Sequence, residues 1–199
     1  MTRSDAELTS AAQAGGRSEL DELLRRHYDR IFAVCRRITG NDSDAADAAQ
    51  EALISIVRSL YRFDGRSSFS TWAYRIATNA SLDELRRRRR RPMLAIGDAE
   101  QPQGETPDPD AGMRIDAVAE RMELDDVLAA LPVDFRVPIV LRDIAGLDYA
   151  EIAETLAIPA GTVKSRIARG RAALAHALSC GDSPPGNQPP HHDRPTPAP

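Results

Sequence analysis

Apolar side chains in the first half of the chain recur at three- and four-residue steps. Leu20, Leu23, Leu24, His27, Ile31, Val34, Cys35 and Ile38 fall on one stripe, which predicts a helix over about 18–39 with Ser18 as cap and Gly40 as stop. Ser43 is placed to cap a second helix that runs to about Leu60 and buries Ala45, Ala49, Leu53, Ile56, Val57 and Leu60. Ser70 is placed to cap a third. There Phe69 staples onto Tyr74, and Trp72, Ile76, Ala80 and Leu85 form the buried face. The first block is thus a three-helix unit, and residues 1–17 before it are expected to be a flexible N-terminus.

In the second block Val118, Met122, Val127, Leu128 and Leu131 predict one helix, and Pro132 opens another that runs to Gly146. Pro138 falls inside that helix and predicts a kink or a late start. Asp148 and Glu151 have the spacing of a capping box, with Leu147 and Ile152 as its hydrophobic staple. This short helix ends near Leu156, a turn passes through Ala157 and Ile158, and Pro159 opens a last helix with Val163, Ile167, Gly170 and Leu174 inward. A short helix, a tight turn and a basic second helix are the pattern of a helix-turn-helix.

Proline and glycine between 92 and 113 predict an extended acidic linker, and the proline-rich residues 179–199 are expected to be disordered. The fold class expected is all-α, with two small helical domains at 18–91 and 114–178.

Net charge, −4 over 199 residues, hides a segregation of sign. From Arg62 to Arg91 nine arginines face three acids; from Gly97 to Asp126 ten acids face two arginines; from Pro159 to His176 there is no acid at all. An acidic chain with two basic patches still binds nucleic acid. The last helix carries Thr162, Lys164, Ser165, Arg166, Arg169 and Arg171 away from its apolar stripe, the layout a helix needs to enter a major groove. A solvated helix face is the plain alternative, although such faces usually mix both signs.

The other basic region joins the polar loop FDGRSS, residues 63–68, to a helix carrying Tyr74, Arg75, Asn79 and Asp83 and ending in the arginine run from Arg86 to Arg91. Rings and amides beside a cationic track suit single-stranded DNA, because bases stack while arginines follow the backbone. Trp72 itself reads as core, and a helix end favoured by the helix dipole would also account for the arginines.

Asp44, Asp47 and Glu51 line up on the second helix with Gln50 alongside. Such a row is an acidic docking face, a solvated face or, as paired carboxylates, a magnesium site. No second acidic motif, glycine-rich phosphate loop, His/Cys set or base-activated nucleophile accompanies it, so no enzyme and no cofactor is expected. His191 and His192 lie in the expected tail. Cys35 and Cys180 are too far apart in context to suggest a disulfide framework, and no apolar run approaches the roughly 20 residues of a membrane span. A cytoplasmic protein is expected.

Three stretches resemble the extracytoplasmic-function sigma factors, the small members of the sigma-70 superfamily: DAADAAQEAL at 44–53, FDGRSSFSTWAYRIATNASLDELRRRRRR at 63–91, and LPVDFRVPIVLRDIAGLDYAEIAETLAIPAGTVKSRIARGRAAL at 131–174. The resemblance implies region 2 in the first block and region 4 in the second. It implies that Asp44, Asp47, Gln50 and Glu51 grip the clamp of core RNA polymerase. Phe63, Arg66, Ser67, Ser68, Tyr74, Arg75, Asn79 and Asp83, with Arg86 and Arg87 of the cationic track, would capture and melt the −10 element. Thr162, Lys164, Ser165, Arg166 and Arg169 would read duplex DNA at −35. The partners implied are core RNA polymerase and promoter DNA, with an anti-sigma factor possible. The competing readings are a conventional helix-turn-helix regulator, which leaves 44–91 without a purpose, and a helical metal-dependent hydrolase built on Asp44 and Asp47.

Overall fold

The computed structural model describes residues 3–90 and 124–181, all helix, turn and short connection. The first block contains α1 (Asp5–Gln13), α2 (Arg17–Thr39), α3 (Asp42–Ser59), a 3₁₀ turn (Leu60–Arg62) and α4 (Phe69–Arg90). In the second block, α5 covers 124–130, α6 (Val133–Ile139) runs into a π turn (Val140–Ile144), and α7 (Tyr149–Leu156) and α8 (Ala160–Gly181) form the helix-turn-helix. The all-α, two-block expectation matches this; the expected linker and tail lie outside the described residues, apart from the end of α8.

The core of the first block is made largely of small side chains. Ala45, Ala48, Ala49 and Ala52 of α3 and Ala73 and Ala77 of α4 are at most 1% exposed, with Ile31, Val34, Cys35 and Ile38 of α2 filling the centre. Small residues let helix axes approach closely, and larger aliphatics then close the remaining space. Burial pushes the Cys35 thiol up to about 11, so it packs as a small hydrophobe. Thr78 and Ser81 sit in the same interior and return their hydroxyls to the carbonyls one turn back, at 2.7 and 2.8 Å.

Several caps differ from expectation. Gly16, not Ser18, precedes α2, and Ser18 bonds Glu19 instead. Asn41, not Ser43, caps α3 by accepting from the Asp44 amide. Ser68, not Ser70, accepts from the Thr71 amide at 3.0 Å, so α4 opens two residues earlier, with Phe69 as its first residue. For α3 and α4 the side chain nearest the first free N–H groups takes the role, whereas Gly16 precedes α2 without a side-chain cap, and two serines two residues apart are not separable by pattern alone. The N-terminal segment expected to be flexible contains α1, whose Ser4–Glu7 capping box and buried Leu8 and Thr9 fix it to the bundle.

Pro138 stays inside α6, and the distortion appears just beyond it. Ala145 donates to the Val140 carbonyl and Leu147 to that of Leu141, the widened turn that follows a helix position with no N–H. Gly146, at φ +76°, then ends the element. The Asp148–Glu151 capping box forms as expected, with Leu147 and Ile152 buried beneath it. Ala157 takes the left-handed turn at φ 52°, and Pro159 accepts the first bond of α8 from Val163.

The two blocks touch. Arg37 of α2 pairs with Asp125 at 3.1 Å, and Gly40 lies under Ala129 and the guanidinium of Arg136, which itself donates to the Ala129 carbonyl at 2.7 Å within the second block. A Cβ at Gly40 would stand 3.2 Å from both the Ala129 Cβ and the Arg136 guanidinium, on a backbone at φ +86°. Gly40→Ala is therefore expected to lower stability by at least about 1–2 kcal/mol, the cost of a left-handed alanine, in urea denaturation.

Candidate nucleic-acid and polymerase interfaces

The acidic row on α3 does not stand free. Asp44 is capped by Asn41 and paired with Arg88 at 2.9 Å, and Asp47 is paired with Arg87 at 2.8 Å. Arg87 also reaches Glu84 of its own helix at 2.6 Å, and these bonds, Glu84 first, raise its guanidinium above the ordinary value. Two arginines of the run, Arg87 and Arg88, thus fold back over α3, while Gln50 and Glu51 remain exposed. Together these residues line a groove of about 410 Å³ between α3 and α4, with Asp47, Gln50, Glu51, Asp83 and Glu84 on its walls and Ile54 and Ala80 at its base. An apolar floor with an acidic rim suits a basic helical partner. Among the described residues no group of three or more His, Cys, Asp or Glu side chains is placed to hold a metal ion.

The loop between the 3₁₀ turn and α4 borders a second cleft, about 500 Å³, lined by Arg62, Phe63, Asp64, Arg66, Ser67, Trp72, Arg75, Glu151 and Glu154. Phe63 and Trp72 form its aromatic side, 5.1 Å apart between ring centroids, and the buried Phe69 packs against Trp72 at 5.9 Å. Trp72, expected as core, is only half-buried and faces the cleft. Gly65, at φ +73° with open space around it, makes the sharp turn in this loop. The cleft has the size and the ring-plus-guanidinium lining that an unstacked base needs.

Tyr74 corrects the expected reading face. It is 1% exposed, it points into the core, and its hydroxyl is buried with no hydrogen-bond partner. Burial raises its phenol pKa, with the Arg30 guanidinium opposing. The heptad position that looks polar in sequence belongs to the face packed on α2. Arg75, Asn79 and Asp83 do lie on the outer face, and Asp83 pairs with Arg86 at 2.6 Å. Arg75 is engaged by Glu154 of α7 through two bonds, one of 2.9 Å, and Thr71 donates to Glu151 at 3.1 Å. Carboxylates of the second block therefore occupy the hydrogen-bonding groups of Arg75 and Thr71.

On α8, Lys164, Ser165 and Arg169 are exposed, and Thr162 and Arg166 are half-buried. Ser165 donates to the Thr162 carbonyl at 2.9 Å, Arg166 pairs with Asp134 at 3.1 Å, and Arg171 pairs with Asp143. Sequence reasoning missed Tyr149, whose ring lies under Arg142 at 4.9 Å and Lys164 at 5.5 Å and so sets the direction of Lys164. Its position just after the Asp148 cap is the signal that was available. Gly170 allows α8 to lie on α6, because a Cβ there would meet Ile139 at 2.4 Å.

The chain matches two family models in this order, Sigma-70 region 2 over residues 23–91 and Sigma-70 region 4 over residues 121–174. It is 36% identical over 176 residues to the ECF RNA polymerase sigma factor SigM of Mycobacterium tuberculosis, covering 88% of this chain and 85% of that one. The chain belongs to the extracytoplasmic-function sigma factors. Its likeness to SigE of Mycolicibacterium smegmatis is 40% identity over 160 residues, spanning 80% of this chain and 61% of the length of that relative. Among solved structures it resembles CnrH in complex with the cytosolic domain of CnrY, at TM-score 0.62, 25% identity and coverage of 90% and 99% of the two chains. The sigma factor RpoE of Bartonella quintana, in complex with the anti-sigma factor NepR, shares the fold at TM-score 0.62 and 20% identity over 80% of this chain and 96% of that one.

Because the Tyr74 hydroxyl has no partner, Tyr74→Phe is expected to change stability by less than about 1 kcal/mol and to leave single-stranded DNA affinity unchanged. Thermal unfolding and fluorescence anisotropy check the two parts separately.

Proposed function

We propose that this sigma factor docks on core RNA polymerase through the α3–α4 groove, captures the opened −10 strand at the 63–68 loop, and reads −35 DNA with α8. The observation that carries this reading is the division of labour within one chain: an acidic groove and an aromatic-cationic cleft on the first block, and a basic helix-turn-helix on the second. Phosphodiester chemistry would belong to the polymerase. Asp47, Gln50, Glu51 and the rim acids supply the docking charge. Phe63, Arg66, Ser67 and Ser68 with Arg75, Asn79 and Asp83 frame the strand site; Arg86 pairs with Asp83 beside it, and Arg87 lies over the docking groove with Asp47 and Glu84. Thr162, Lys164, Ser165, Arg166 and Arg169 face the major groove.

Promoter binding on this reading replaces one set of anions by another. Glu154 holds Arg75 in the present arrangement, and a DNA phosphate takes its place when the blocks separate. A 22-residue linker over 92–113 reaches about 75 Å when fully extended. That is enough, together with the breadth of each block, for two sites about 25 base pairs apart at roughly 3.4 Å per pair. An acidic linker also avoids competing with the arginine-rich faces for DNA. An anti-sigma factor, on this reading, would act by covering both faces at once. No helix among the described residues is long and apolar enough to cross a membrane, and we place the protein in the cytoplasm with the polymerase.

Arg169→Ala is expected to weaken use of −35 elements by about 5- to 100-fold, the range of a lost base or phosphate contact, while core binding is unchanged. Glu51→Arg is expected to do the reverse, abolishing co-elution with core enzyme on gel filtration while −35 duplex binding persists. Retention of core binding by Glu51→Arg would move the docking site elsewhere.

A further inference from the structure

We propose that α1 sets the position of the 63–68 loop, with Gln13 as the positioning residue; the inference rests on the assignment of that loop to strand capture. The region 2 match begins at residue 23, so α1 lies outside it. A nine-residue helix is too short to persist by itself and is held by tertiary contacts. Those contacts are numerous here. Arg26 donates to the Arg3 carbonyl at 2.7 Å, Arg3 pairs with Glu19 at 2.6 Å, and Asp5 meets the His27 ring nitrogen at 2.6 Å.

At the other end of α1, the side-chain amide of Gln13 donates to the carbonyl oxygens of Leu60 and Phe63, at 2.9 and 2.8 Å. These two carbonyls bracket the 3₁₀ turn, and the Phe63 carbonyl is the last group before the chain turns at Asp64 and Gly65. The loop beyond has few anchors of its own: Asp64 accepts from the Arg66 amide, and Ser68 joins Thr71. Its far end is also reached from α1, indirectly. The His27 ring that Asp5 holds packs on Phe69 at 5.1 Å, and Phe69 packs on Phe63 at 6.3 Å. Both entry and exit of the loop are therefore referenced to one helix.

Glutamine suits this place for a definite reason. One terminal amide carries two N–H groups, one for each carbonyl, whereas glutamate of the same shape has none and asparagine is a methylene shorter. Two hydrogen bonds at their usual net strength correspond to about a tenfold effect on whatever the loop position controls.

Trp72 is the only tryptophan of the chain and packs on Phe63, so its fluorescence reports the loop with no DNA present. The test uses the full chain carrying Gln13→Ala or Gln13→Glu. It measures acrylamide quenching of Trp72 in the free protein, affinity for core polymerase, and holoenzyme affinity for a single-stranded −10 oligonucleotide. The expected result is greater quenching and about tenfold weaker oligonucleotide binding in Gln13→Glu, a smaller change in Gln13→Ala, and core affinity equal to wild type in both. Unchanged quenching in both variants overturns the positioning role, as does core affinity that falls in step with DNA affinity. Greater quenching with undiminished DNA affinity instead overturns the assignment of the loop to strand capture.

Discussion

Close packing of α4 on α2 and α3 is the constraint on which the other features depend. Alanines from two helices and Cys35, Thr78 and Ser81 between them leave no room for a larger side chain, so the register of α4 is fixed to within one residue. That register decides which side chains face outward. It sends Tyr74 into the core and Arg75, Asn79 and Asp83 to the surface. It also brings Arg87 and Arg88 over Asp47 and Asp44, so that the proposed docking groove and the proposed strand-capture face share one helix. A change in the alanine interface would disturb both functions together.

Electrostatics gives the second level of organisation. Arginines predominate over lysine, and nearly every one named at a functional face is already paired: Arg75 with Glu154, Arg87 with Glu84 and Asp47, Arg166 with Asp134. The pairs with an exposed carboxylate, Arg75 with Glu154 and Arg166 with Asp134, contribute little stability, about 0–1 kcal/mol each, and exchange readily, whereas Glu84 is buried. They hold the guanidinium groups in place and, on the proposed reading, give way to a phosphate or a partner carboxylate. On α8, Lys164 and Arg169 are exposed and form no ion pair with an internal carboxylate among those named, and the proposed reading presents them most directly to duplex DNA.

Most of the helices could be read from the sequence because their apolar stripes are regular and their stops are unambiguous. Gly40 and Gly146 end helices where expected, and the Asp148–Glu151 box marks α7 with reciprocal side-chain bonds. What could not be read depended on through-space partners. Three serines were plausible caps by pattern, but Asn41 and Ser68 cap α3 and α4 through local side-chain bonds, and Gly16 precedes α2 without one. Tyr74 looked polar and exposed until the register of α4 was known. α1 has a weak apolar stripe and is fixed mainly by ionic contacts to α2, with Leu8 as its buried anchor, so periodicity alone leaves it unstructured. The mutual pairing of the acidic row and the arginine run joins residues forty positions apart and leaves no local mark in the sequence.

The central claim is that one chain supplies polymerase docking, strand capture and −35 reading at once. Transcription of fragmented genomic DNA by core polymerase, with and without this protein, followed by sequencing of transcript 5′ ends, tests it most directly. The account predicts discrete starts that appear only with the protein and share sequence elements near −10 and −35. Binding to duplex DNA with no association with core polymerase and no new starts would contradict it.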